Sequence, residues 1–100
     1  MLEPRLPIPS ATIADFCRRH HIRHLGLFGS VLRDDFRPDS DVDVLVEFEP
    51  EVQIGLFALI DLQDELSIIL GRPVDLVPRQ GLKPVIRASV LASEQVVYAA

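Results

Sequence analysis

The sequence predicts an α/β fold, a small mixed sheet flanked by helices, built as one domain over residues 1–100. Three observations carry that expectation. Apolar residues form two strand-like runs, Ile22 to Phe28 and Asp41 to Phe48, the second alternating at period two. They then recur at helical spacing from about Ile54 to Leu70, at Leu59, Leu62, Leu66, Ile69 and Leu70. A third short apolar run, Pro73 to Pro78, follows directly after Gly71, a residue suited to end a helix. With 100 residues, 48% of them hydrophobic, the chain can bury one core and not a second.

Each element follows from its own residues. Met1 to Pro9 is an irregular arm punctuated by Pro4, Pro7 and Pro9. Ser10 is placed to cap a helix over Ala11 to His21, with Ile13, Phe16 and Cys17 on one stripe. The run Ile22 to Phe28 ends at Gly29-Ser30, and a short amphipathic turn, Val31 to Phe36, leads through a loop, Arg37 to Ser40, into the second strand. Along that strand Val42, Val44, Val46 and Phe48 share a core face, and Asp41, Asp43, Leu45 and Glu47 share the other. In the strand Pro73 to Pro78, Val74 and Leu76 share a face and Asp75 takes the opposite one. Lys83 to Leu91 reads as a last helix, and Gln95 to Tyr98 as a short edge strand. On the long helix, Phe57 and Ile68 fall on the polar side with Asp61 and Asp64, at spacing 57, 61, 64, 68, where a partner contact is conceivable.

Composition narrows the function classes. Net charge is −5, and the ten Lys and Arg are scattered except for Arg18-Arg19, so no footprint for a nucleic-acid backbone is visible and direct nucleic-acid binding is not expected. Cys17 is the only cysteine, which points to a reducing compartment. The N-terminal residues do not read as a signal peptide, and no uncharged apolar run approaches the ~20 residues of a membrane span. A cytoplasmic setting is the simplest reading. His20, His21 and His24 invite a metal, but histidines near a helix end more often complement its dipole.

The chemistry concentrates between residues 27 and 48. Asp41 and Asp43 must project from one side of their strand, and two neighbouring carboxylates repel unless a cation lies between them. A hard divalent ion such as Mg²⁺, which takes oxygen ligands, is the natural neutraliser. Gly29-Ser30 sits where a strand turns into a helix, and unpaired first-turn amides there favour an anion such as phosphate. If Pro73 to Pro78 pairs beside Asp41 to Phe48, Asp75 joins the other two aspartates on one face. Each part alone has a plainer explanation: a Gly-Ser pair as a cap, Asp-x-Asp as a solvated turn, Arg33 as a surface charge. Their conjunction is what points to a site.

Gly29-Ser30, ten intervening residues, then Asp41-x-Asp43 resembles the signature of the DNA polymerase beta type nucleotidyltransferase superfamily. The likeness is greatest to its minimal members, many of which are antitoxins paired with HEPN-domain toxins. It extends to Arg33, to the LIDLQDEL text of the long helix, and to GRPVDLV, which carries Asp75. One departure stands out: the family commonly has glycine after that arginine, and here the residue is Asp34. The resemblance implies a nucleotidyltransferase fold and transfer of AMP from ATP to a hydroxyl. Asp41, Asp43 and Asp75 would be catalytic and would bind two Mg²⁺ ions, and Gly29, Ser30 and Arg33 would hold the triphosphate. It further implies that the hydroxyl is a tyrosine of a HEPN ribonuclease toxin, this chain acting as its antitoxin. Two other readings stay open at the level of residues: a module that masks its partner by binding alone, and a transferase acting on small molecules of the aminoglycoside kind.

Overall fold

The computed structural model describes residues 8–29 and 41–100, apart from the side chain of Ile86. The expected turn Val31 to Phe36 and the loop Arg37 to Ser40 lie outside the described residues, as does most of the N-terminal arm. The chain runs α1 (Ser10–Arg19), β1 (Ile22–Phe28), β2 (Val42–Phe48), α2 (Leu56–Leu70), β3 (Val74–Pro78), a 3₁₀ turn (Arg79–Gly81), α3 (Pro84–Ser93) and β4 (Gln95–Ala99). The four strands make one sheet in the order β3-β2-β1-β4. β1 pairs antiparallel with both β2 and β4, whereas β2 and β3 are parallel, so the sheet is mixed as expected. Parallel neighbours need a crossover connection, and α2 supplies it.

Helix boundaries differ from the sequence reading by a residue or two, for local reasons. Pro9, not Ser10, occupies the N-cap position of α1: the Pro9 carbonyl accepts from the Ile13 N–H at 2.9 Å, and no side chain caps the helix. α1 stops at Arg19 rather than His21, because His21 adopts φ 57° and turns the chain into β1. α2 starts at Leu56, two residues later than Ile54, with the Gly55 carbonyl accepting from the Leu59 N–H at 3.0 Å. Its other end is as foreseen: Gly71 is left-handed at φ 70°, and its N–H donates to the Ser67 carbonyl.

The period-two pattern decides the layers. Leu25 and Leu27 of β1, Val42, Val44 and Val46 of β2, and Val74 and Leu76 of β3 are buried together with Ile13, Phe16 and Cys17 of α1 and Leu62, Leu66 and Leu70 of α2. Both helices therefore pack on one face of the sheet. The alternate residues, His24, Gly26 and Phe28 on β1, Asp43, Leu45 and Glu47 on β2, and Asp75 on β3, belong to the other face. No described helix is long and apolar enough to cross a membrane.

Candidate active site

The site is assembled where β1 ends and where β2 and β3 begin. Phe28, the last residue of β1, lies opposite Asp43 in the antiparallel register. Gly29 follows with φ +77°, in the left-handed region that strains residues bearing a Cβ. A Cβ placed there would also overlap the Oδ2 atom of Asp43. Glycine is therefore required twice at this position, once for the backbone turn and once to make room for the carboxylate.

β3 delivers the third acid. Asp43 and Asp75 are direct partners in the parallel β2–β3 pairing. Residues opposite each other on neighbouring strands point to the same face, with the strands about 4.8 Å apart. Asp43 is half-buried and Asp75 exposed, so the pair opens to solvent. Asp41 is exposed and stands just before β2, two residues from Asp43. The first rung between these strands is the Val42 N–H donating to the Pro73 carbonyl at 2.8 Å.

Of the six residues singled out in the sequence, Gly29, Asp41, Asp43 and Asp75 are gathered at this end of the sheet. Ser30 and Arg33 lie outside the described residues, as does Asp34. Among the described residues no three His, Cys, Asp or Glu side chains converge as a ready-made metal cage. Asp41, Asp43 and Asp75 are the described carboxylates that would hold a hard divalent ion at this end of the sheet, where its charge would offset theirs. The chemistry of the donors fits Mg²⁺: carboxylate oxygens only, with no thiolate or imidazole in the set.

The three histidines do not form a site. His20 pairs with Glu65 at 3.2 Å, His21 with Glu49 at 3.6 Å and His24 with Glu94 at 3.0 Å, each with a different glutamate. The His24–Glu94 pair brings a buried carboxylate onto β1 that sequence reasoning missed. Glu94 has a side chain only 8% exposed, and its Oε2 is buried without a hydrogen-bond partner among the described residues. It lies over Gly26, where any Cβ would overlap that oxygen. A glycine inside an apolar strand was the available signal, since it marks close approach of another group.

A cavity of about 710 Å³ lies elsewhere, lined by Arg23, Glu47, Arg79, Phe48 and Leu59 among others. It opens at the far end of β2, four residues or ~13 Å along the strand from Asp43. Glu47 there bridges Arg23 at 3.3 Å and Arg79 at 3.3 Å, which satisfies the charges without any ligand. The carboxylate pair and the left-handed glycine lie at the opposite end of β2 from this cavity.

Comparison with known proteins gives the arrangement a context. Residues 10–97 match the family model described as Nucleotidyltransferase domain. The chain is 44% identical over 80 residues to Protein adenylyltransferase MntA of Thermococcus cleftensis, covering 80% of this chain and 77% of that one. A solved structure described as a minimal nucleotidyltransferase superposes with a TM-score of 0.70 at 36% identity, covering 85% of each chain. The solved complex of tri-AMPylated Shewanella oneidensis HEPN toxin with MNT antitoxin also contains a similar fold, with a TM-score of 0.67 at 22% identity over 91% of this chain and 70% of that one. With the family model spanning most of its length and the acids of its signature gathered at one end of the sheet, this chain belongs to the nucleotidyltransferase domain family, in its minimal form.

Proposed function

We propose that the chain transfers AMP from ATP to a tyrosine hydroxyl of a cognate HEPN ribonuclease toxin, silencing it and so acting as its antitoxin. The observation that carries the reading is the register of Asp43 with Asp75 beside the left-handed Gly29. That register pairs two carboxylates, with Asp41 two residues away, beside Gly29, the residue at which the proposed triphosphate-binding segment would begin. The names of the relatives support the direction of the chemistry: one is a protein adenylyltransferase, and another structure holds a HEPN toxin carrying three AMP groups. Net charge −5 suits docking on a basic, RNA-binding partner in the cytoplasm.

In this reading the reaction is an in-line displacement: the hydroxyl oxygen forms a bond to the α-phosphorus, the bond to the β-phosphate oxygen breaks, and pyrophosphate leaves. Asp41, Asp43 and Asp75 are the residues that would hold one or two Mg²⁺ ions, whose charge would offset what develops on the transferring and departing oxygens. Asp75, on the more exposed strand, takes the proton from the attacking hydroxyl. The amides of Gly29 and Ser30, the Ser30 hydroxyl and the Arg33 guanidinium bind the β- and γ-phosphates. Most of the rate enhancement then comes from positioning and charge neutralisation.

The test supplies α-labelled ATP and Mg²⁺ with the HEPN-domain protein of the same genome, and separately with a panel of aminoglycosides. Label is expected on a toxin tyrosine. Asp41→Ala and Asp43→Ala should each lower transfer by about a thousandfold or more while leaving the fold intact. Were those variants to protect against the toxin as well as the parent does, masking by binding would replace catalysis. Label on an aminoglycoside would overturn the choice of acceptor.

A further inference from the structure

Among the described residues β3 lies at the edge of the sheet, with β2 as its one strand neighbour. Backbone groups along a strand alternate in direction. Since the Pro73 carbonyl bonds to β2, the backbone of Asp75 also turns toward β2, and the N–H groups of Val74 and Leu76 turn outward. An edge amide normally meets water, or another strand. Here each of the two is taken by a side chain of α2. The Val74 N–H donates to Ser67 Oγ at 3.1 Å, and the Leu76 N–H donates to Gln63 Oε1 at 2.9 Å.

Ser67 is anchored in turn. Its hydroxyl donates to the Gln63 carbonyl at 2.8 Å, and its own carbonyl accepts from the N–H groups of Gly71 and of Arg72, the latter at 3.2 Å. Gln63 and Ser67 are one helical turn apart and half-buried, so their reach is fixed by the packing of Leu62, Leu66 and Leu70 on the sheet. The backbone is thus gripped on both sides of Asp75 by a rigid helix, while the carboxylate itself remains exposed.

We propose that Gln63 and Ser67 are positioning residues for adenylyl transfer: by clamping the amides that flank Asp75, they fix the height of its carboxylate against Asp43. The inference rests on the adenylyl-transfer reading above and adds to it two residues that would act through Asp75. Loss of the clamp leaves β3 paired with β2 but free to shift along its outer side. The clamp involves neither Gly29 nor the end of β1, so binding of the triphosphate is expected to be unchanged.

The experiment compares Gln63→Met and Ser67→Ala, which remove the acceptors at nearly constant shape, with Gln63→Glu and Ser67→Thr, which retain them. Amide hydrogen exchange reads the clamp directly, without any need for activity. Exchange at Val74 and Leu76 should rise about tenfold or more in the first two variants and stay near the parent's in the second two. Transfer to the HEPN protein at saturating ATP should fall about tenfold in the first two, with KM for ATP unchanged, and recover in the second two. In an Asp75→Asn background the same substitutions should cost nothing further, because the clamp acts only through that carboxylate. Full additivity with Asp75→Asn, or faster exchange with unaltered transfer, would overturn the proposal. A parent chain that transfers no AMP would instead defeat the adenylyl-transfer reading itself, and the exchange result would still report whether the clamp exists.

Discussion

Gly29 illustrates how one residue can serve two constraints at once. Its φ of +77° would strain any residue with a Cβ, and the Asp43 carboxylate fills the space where that Cβ would go. Gly29→Ala is therefore expected to cost about 1–2 kcal/mol in urea denaturation. It should also lower transfer activity disproportionately, since the displaced atom is a proposed metal ligand. An activity loss that merely tracks the loss of folded protein would show that the glycine serves the turn alone. Cys17 is the opposite case, a reactive type made inert by position. Burial against the sheet pushes its thiol up to about 12, only partly opposed by Arg18, so the nucleophilic thiolate is absent at neutral pH.

At the level of elements, α1 and α2 are tied on the solvent side of the core. Arg19 of α1 donates to Glu65 of α2 at 2.7 Å and to Asp15 at 3.0 Å, and His20 lies 3.2 Å from the same glutamate. The hydrogen bond from Arg19 is the main cause holding the Glu65 carboxyl below its usual 4.5, with His20 adding to it. A carboxyl whose folded pKa is depressed contributes stability above its unfolded pKa and loses it as pH falls through the lowered value. Glu65→Gln should thus lower stability at pH 7 by no more than about 1 kcal/mol, because the pair is solvent-screened. That difference should vanish as the pH drops well below 4.5. Parallel urea titrations of parent and variant at neutral and acid pH measure it; a gap that persists in acid would assign the effect to packing.

Among the described residues the sheet is asymmetric: one face packs α1, α2 and the core, and the other carries Asp43 and Asp75. The outer side of α2, which carries Asp61 and Asp64, also bears apolar residues that are not part of that core. Phe57 is 83% and Ile68 81% exposed, whereas Leu66 on the inner side is fully buried. Phe57→Ser with Ile68→Ser should leave the stability of the chain within about 0.5 kcal/mol of the parent, while Leu66→Ala should cost about 2–5 kcal/mol. Thermal melts of the two variants side by side check the contrast. A large loss from the outer pair would mean that this face is covered in solution.

What the sequence determined by itself was whatever depends on near neighbours. Period two put Val42, Val44 and Val46 on one side of β2 and Asp43 on the other, period 3.6 picked out Leu62, Leu66 and Leu70, and Gly71 marked the stop of α2, because these rest on bond geometry within a few residues. Asp41, read as the first residue of that strand, stands just before it. Helix starts were read less well: Ser10 has the side chain of a cap, but the first helical bond goes to the Pro9 carbonyl, a choice made by the course of the incoming chain. Tertiary structure alone decided that Asp75 meets Asp43, since the register of parallel strands joined by a fifteen-residue helix is set by how that helix packs. It alone turned Gln63 and Ser67, ordinary polar positions on a helix, into partners of the β3 edge, and laid Glu94 over Gly26. Those contacts join residues far apart in the chain or on different elements, and no local period encodes such distances.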